Sequence, residues 1–297
     1  MKGIYQHPEY ISALKEGGEK IHSISPKFHV VERAIRVPLL GKKRILEARG
    51  SPEGDELSLF RSYCAKQKCW YGTIAPVVVE QKNKEFSSAR YNKVSNQTLL
   101  LNLSLPLDSI WKNLEKKSIR WGIKTAEKSA LVSTHASATD VEAFCLLYEK
   151  SAESGGFKAE NKSTIAHLAD SSIAHLLVIK KSDKIIAGGL ILIDREHHYA
   201  ILDLTAASEE GLSLQAMPFL YWELIKYAKS LGLQKFDLGG YDTHAPKGSK
   251  IARINSFKER FGAELVEQPI YTNAAKYSFI RSLMQRASFL SVMYHKE

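Results

Sequence analysis

The sequence predicts an α/β protein built from two domains, and three observations carry that expectation. The chain has 297 residues, which suits two modest domains at roughly 100–200 residues each. Strand-like apolar runs alternate with helical stripes on both sides of a basic helical stretch at residues 107–128. From residue 174 onward the order strand, strand, strand, helix, strand, helix is legible without a break. The expected division is 1–134, completed by a C-terminal helix within 269–297, and 135–268.

The elements follow in order. Residues 28–31, 74–79 and 99–103 are apolar enough for strands, and Leu57, Phe60, Tyr63 and Cys64 recur at helical spacing within 55–66. One helical stretch is expected over 107–128. A helix at 140–151 places Val141, Phe144, Cys145 and Tyr148 on one face. Runs 174–180 and 185–194 flank the turn Lys181-Ser-Asp-Lys184 as a hairpin, and 199–205 adds a third strand. Pro218 is tolerated in a first helical turn, and Leu220, Leu224, Ile225, Ala228 and Leu231 continue the stripe until Gly232 stops it. A short strand at 235–238 ends at Gly239-Gly240, helix 250–261 follows, and 273–294 forms a last amphipathic helix.

With 44% apolar and 25% charged residues the chain is ordinary globular protein rather than disordered. Three cysteines, two of them spaced C-x4-C without a matching pair, make no zinc set and fit a reducing compartment. The N-terminus carries His7 and Glu9 where a secretory signal needs apolar residues, and no run reaches membrane-spanning length, so a cytoplasmic protein is expected. His197 and His198 point to opposite faces of an extended chain and cannot grip one metal, so no metal is expected. Gly188-Gly189 and Gly239-Gly240 belong to neither G-x-G-x-x-G nor a P-loop; the first pair reads as close packing inside a strand. No G-x-S-x-G occurs, and no covalent acyl-enzyme is expected.

The net charge of +10, with pI ≈ 9.3, points to a polyanionic partner: nucleic acid, a phosphorylated ligand or anionic lipid. A merely basic background is the plain alternative. Two segments concentrate the charge. Between 110 and 128 six basic residues stand against Glu115 and Glu127, and Lys112, Lys116, Arg120, Lys124 and Lys128 recur every fourth position, as a basic ribbon on one helix face requires. Between 247 and 260 five basic residues stand against Glu259. There Phe257 and Phe261 must face inward, which sets Lys258 at the edge of the buried face, beside an anionic ligand or a developing oxyanion. The alternative for both segments is a solvated amphipathic surface.

These residues also carry a family resemblance. Leu101-Asn-Leu-Ser104, then Ile110-Trp-Lys-Asn-Leu114 and Ile119-Arg-Trp-Gly-Ile-Lys-Thr-Ala-Glu-Lys128, are similar to a run of the FemABX family, the peptidyltransferases that add amino acids from aminoacyl-tRNA to the stem peptide of peptidoglycan precursors. The likeness continues through Phe144, Tyr148 and Gly156-Phe157, then Pro218, Trp222, Gly232 and Phe236-Asp-Leu-Gly-Gly240, to Phe257-Lys-Glu-Arg-Phe-Gly262. Arg49-Gly-Ser-Pro52 resembles an early turn of the family, so the likeness spans about residues 30–265. Ala130 and Ser154 depart from it, standing where Gly and Arg are common.

The resemblance implies two tandem acetyltransferase-like (GNAT) domains with mixed sheets flanked by helices, and direct aminolysis of an aminoacyl ester. It implies no cofactor. The segment Glu209-Glu-Gly-Leu-Ser-Leu-Gln-Ala216 agrees, because it lacks the glycine-rich pyrophosphate loop of a CoA enzyme and carries two acids. Under this reading Lys258 is the cation at the reacting carbonyl, Arg120, Lys124 and Arg260 contact anionic substrate, and Tyr241 with Asp242 holds the acceptor peptide. Asp237, within a strand, reads as a structural hydrogen-bond partner. The implied partners are aminoacyl-tRNA and a lipid- or nucleotide-linked cell-wall precursor, with peripheral contact to the inner membrane face left open. Two alternatives stand beside it: a GNAT-like N-acyltransferase on another amine or polysaccharide precursor, with or without acyl-CoA, and a non-catalytic RNA-binding protein.

Overall fold

The computed structural model describes residues 2–37, 40–77 and 83–274. The expected helix at 273–294, and with it the completion of the first domain by a C-terminal helix, lies outside the described residues beyond Ala274.

Along the chain come α1 (Pro8–Glu16), β1 (Lys20–Ser25), β2 (Phe28–Val37), β3 (Gly41–Arg49), α2 (Glu56–Lys66), β4 (Tyr71–Ala75), α3 (Asn83–Ser88), β5 (Asn92–Val94) and β6 (Gln97–Asn102). Then follow α4 (Leu107–Asn113), a π turn at Lys116–Arg120, α5 (Trp121–Lys128), β7 (Val132–His135), α6 (Ala138–Gly155) and α7 (Lys162–Asp170). The series ends with β8 (Ala174–Lys181), β9 (Lys184–Asp194), β10 (Tyr199–Ala207), α8 (Glu209–Ser213), α9 (Ala216–Ser230), β11 (Lys235–Tyr241), α10 (Lys250–Glu259), β12 (Glu264–Glu267) and β13 (Ile270–Thr272).

Two compact units result. Unit 1 takes the chain up to Ile11, Glu19–Asn96 and the segment from Gln268; unit 2 takes Ser12–Gly18 and Gln97–Glu267. The break expected after residue 134 therefore falls between Asn96 and Gln97. Its cause is β6, which pairs with β11 and β12 and so draws everything after Asn96 into the second sheet.

Each unit is one mixed sheet with helices packed on it. Unit 1 orders its strands β1-β2-β3-β4-β13-β5, and unit 2 orders them β12-β6-β11-β10-β9-β8-β7. Among the described residues each sheet has one parallel pair, β3 with β4 and β10 with β11. A helix, α2 or α9, makes the crossover in each case, as a parallel connection requires. The α/β fold of two mixed sheets expected from the sequence is thus the fold observed.

The core of unit 2 forms where the apolar stripe of α9 (Leu220, Leu224, Ile225, Ala228) meets Leu177, Ile179 and Ile191 of the sheet. Pro218 sits in the first turn of α9, and Gly232, at φ 76°, takes the left-handed position after its end. Gly188 and Gly189 are close-packing residues: a Cβ at Gly188 meets Phe144 of α6 at 2.6 Å, and one at Gly189 meets Leu224 of α9 at 3.0 Å. The sheet is so closely covered on both faces that only glycine fits there.

The helical stretch expected over 107–128 is broken. Leu114 and Glu115 are extended, with ψ 137° and 125°, and a π turn precedes α5. The Glu115 N–H donates to the Arg260 carbonyl at 2.9 Å, and Gly262 seats against Asn113, where a Cβ meets Asn113 backbone at 3.0 Å. This tertiary contact overrides helix propensity and ends the continuous basic ribbon. Lys116, Lys124 and Lys128 remain exposed, whereas Arg120 is half-buried and its Nε is enclosed without a hydrogen-bond partner.

Candidate functional site

The two parallel pairs behave differently. In unit 1, β3 and β4 stay paired from Ile45/Tyr71 to Arg49/Ala75, and the Gly50 N–H extends the ladder to the Ala75 carbonyl at 2.9 Å. In unit 2, β10 and β11 pair only at Tyr199/Lys235, Ala200/Phe236 and Ile201/Asp237, then part. Both strands are irregular at that level. β10 shifts register against β9 between Leu202 and Leu204, and β11 shifts against β6 between Asp237 and Gly240, with Gly239 at φ 85°. Strands that part leave inward-facing N–H and C=O groups without ladder partners, free to meet a ligand.

A cavity of about 830 Å³ opens there, lined by residues 202–207, Leu238, Tyr221 and Phe257 and by charged residues from α10 and the π turn. Asp237 marks the parting point. It is buried, and its carboxylate accepts from Tyr199 Oη at 2.7 Å, from the Gly239 N–H at 2.8 Å, and from Thr98 Oγ1. These bonds hold β6, β10 and β11 together just below the opening, the structural role expected for it.

Lys258 enters from α10. Ser249 caps that helix, accepting from the Ala252 N–H at 3.1 Å, and Gly262, at φ 73°, follows its end. Phe257 and Phe261 pack with Tyr221 as a three-ring cluster, with centroids 5.1–5.2 Å apart, and Phe261 is fully buried. The rings fix the helix face, so the half-buried lysine between them projects onto the cavity wall. Its ammonium donates to the Gly240 carbonyl at 3.4 Å. Burial lowers its pKa below the usual 10.5, and the nearby Asp237 carboxylate partly counters that shift. Burial likewise pushes the Tyr221 phenol up, against a hydrogen bond with Thr205.

Of the residues singled out from sequence, Lys258 and Arg260 lie on the cavity wall. Arg260 Nε also pairs with Glu115 at 3.3 Å. Arg120, Lys124, Tyr241 and Asp242 are not among the wall residues. The Tyr241 hydroxyl donates to Glu259 at 2.6 Å, and that bond raises its pKa. Asp242 accepts the His244 N–H at 2.9 Å, while its carbonyl takes a bond from Asn255 at 2.8 Å, so it shapes the loop before α10. The wall adds Lys117, Lys250 and Arg253, which the charge count included without a role, and Asp203. An acid within the apolar run Ile201-Leu-Asp-Leu204 was the available signal for the last.

The family model of the acetyltransferase (GNAT) domain matches residues 115–246, which include the parted strands. No curated protein matches the chain. Among solved structures, FemX is 12% identical, with 93% of each chain covered and a TM-score of 0.66. The C-terminal domain of a putative lysylphosphatidylglycerol synthetase from Agrobacterium fabrum is 13% identical, with 96% of this chain and 93% of that one covered and a TM-score of 0.67. L-PGS from Bacillus licheniformis is 14% identical, with 98% of each chain covered and a TM-score of 0.62. At such identities the likeness is one of fold.

A GNAT domain raises the question of acyl-CoA, whose pyrophosphate needs an open helix N-terminus rich in N–H donors. The first turn of α9 does not fit it. Pro218 has no N–H, Gln215 makes no side-chain cap, and α5 lies close enough that a Cβ on Gly122 meets Pro218 Cγ at 2.9 Å. Before it, Glu209 and Glu210 occupy the first turn of α8. The resemblance drawn from the motifs is upheld at the level of the fold: the chain has the GNAT fold, shared over nearly its whole length with FemX, and residues 115–246 match the acetyltransferase (GNAT) domain model.

Proposed function

We propose that the chain is an acyltransferase that moves an aminoacyl group from aminoacyl-tRNA to a primary amine of a cell-wall precursor peptide, using the cavity of unit 2. The observation that carries this reading is the Lys258 ammonium, fixed on the cavity wall where β10 and β11 part. Lys117, Lys250, Arg253 and Arg260 share that wall with one acid, Asp203, so an anionic substrate is favoured.

The amine nitrogen attacks the ester carbonyl carbon, forming the new C–N bond and placing negative charge on the carbonyl oxygen. Lys258 stabilises that charge, and collapse breaks the ester C–O bond. The ribose oxygen departs with the proton the amine gives up. The protein supplies positioning and a preorganised cation, with no covalent intermediate. Asp203 offers the attacking amine an acceptor within the cavity.

The test is turnover of aminoacyl-tRNA with an amine-bearing precursor peptide. Lys258→Ala should lower kcat at least about tenfold, since losing one oxyanion donor costs on the order of 2.7–4 kcal/mol. Full activity in that variant removes Lys258 from the site. The match of residues 115–246 to the acetyltransferase domain keeps an N-acyltransferase as the second reading. A thermal shift with CoA and none with tRNA would favour it.

A further inference from the structure

We propose that the mouth of the unit 2 cavity is a docking rim for an anionic phospholipid bilayer. This rests on the reading that the cavity serves an acyl acceptor, and it names the surface from which that acceptor is presented.

Four large apolar side chains on the cavity wall are also strongly exposed: Trp121 at 55%, Phe157 at 50%, Leu212 at 56% and Ile254 at 42% of their surface. Single exposed apolar side chains are ordinary on a soluble surface, whereas here four of them line one opening. They come from α5, the loop after α6, α8 and α10, so the ring around the opening draws on four separate segments. The Phe157 ring lies over Gly155, where a Cβ meets it at 2.6 Å, and Lys250 Nζ approaches the same point at 3.4 Å. The outward aromatic ring and the cation are held side by side.

Charge complementarity selects the occupant. Lys117, Lys250 and Arg253 on this wall are exposed. Apolar side chains that enter the acyl boundary beside cations that meet phosphates are the two elements of interfacial binding. Nucleic acid also meets cations and stacks on aromatics, but Leu212 and Ile254 offer a base no π face. None of the helices among the described residues is long and apolar enough to cross a membrane, so contact through this face is peripheral.

The experiment uses the full chain with phosphatidylcholine vesicles, with and without phosphatidylglycerol. Binding should require phosphatidylglycerol and weaken with salt. Phospholipids with brominated acyl chains should quench tryptophan fluorescence, and Trp121→Leu, which keeps an apolar residue at the rim, should bind but lose the quenching. The double variant Leu212→Ser/Ile254→Ser should partition about tenfold more weakly. Because both side chains are exposed, its melting should match the wild type. Equal partitioning of the double variant, binding of the wild type without quenching, or a double variant that loses tRNA binding while its vesicle binding is unchanged each overturns the proposal. Vesicle binding is read without turnover, so Lys258→Ala with full activity overturns the reading of the site while leaving the rim standing.

Discussion

Lys258 on α10 donates to the Gly240 carbonyl on β11 at 3.4 Å, which ties the half-buried lysine beside the ring pair Phe257 and Phe261 to the strand whose departure opens the cavity. Burial lowers the pKa of this lysine from 10.5, with Asp237 opposing. Between the lowered value and 10.5, the unfolded chain holds a proton that the native chain has released, so native stability rises with pH across that window. The cation disappears across the same window. Turnover should therefore fall with rising pH below the range of a free lysine while the melting temperature rises. Lys258→Met should lower turnover at least about tenfold, remove its fall with pH in this window and flatten this part of the stability profile, as kcat and thermal melting against pH will show.

Gly239 is the second point of control over that ammonium. At φ 85° it sits where a side chain is strained, and a Cβ there lies 3.2 Å from Lys258 Nζ and 3.6 Å from the Leu202 carbonyl. Gly239→Ala should cost about 1–2 kcal/mol in stability from backbone strain. Turnover should fall further than that loss explains, because the lysine must give way. Urea unfolding and kcat, measured on the same preparation, separate the two effects.

Gly188→Ala tests packing away from the cavity. Its Cβ meets the Phe144 ring at 2.6 Å, so α6 must shift off the sheet. The expected destabilisation is about 1–3 kcal/mol, read by urea unfolding.

An acid-side loss of stability should come from His175. Its ring stacks on Tyr227 at 3.9 Å and bonds His135 across β7 and β8 at 2.7 Å. Burial first, then His135, lowers its pKa from 6.5 to about 4. The native ring is neutral while the unfolded ring takes up a proton, so its contribution is present above 6.5 and is lost between 6.5 and about 4. The loss should be on the order of 1–2 kcal/mol, allowing for partial exposure. His175→Phe, which keeps the stack on Tyr227, should remove that part of the acid dependence in melting curves.

Much of unit 2 was legible because its signals are local. The turn at Lys181–Lys184, the stripe ending at Gly232 and the Phe257/Phe261 spacing each lie within one or two elements. What escaped depends on partners distant in sequence. Nothing near Glu115 announces that its N–H will bond Arg260, so the broken helix reads as continuous. Likewise β6 reads as part of the first half because its partners β11 and β12 lie more than 130 residues away. The place of Lys258 at the edge of the buried face was legible from the rings on either side of it. Arg120 lies off the cavity wall for the same reason that the ribbon breaks: it ends the π turn half-buried, with Nε enclosed. Strands β12 and β13, of four and three residues, are too short to show a period.

The place of β13 has a consequence for the order in which the chain matures on the ribosome. This three-residue strand is an inner strand, lying between β4 and β5, and Thr272 Oγ1 bonds the Gly72 carbonyl at 3.1 Å. When residues 19–96 have emerged, β4 still has one bare edge and β5 has no neighbour, and both wait while all of Gln97–Glu267 is translated. The N-terminal sheet therefore closes after the C-terminal one, reversing the usual vectorial order. The nascent first unit spends that interval with an open strand edge, the state in which chains pair wrongly and in which holding chaperones act.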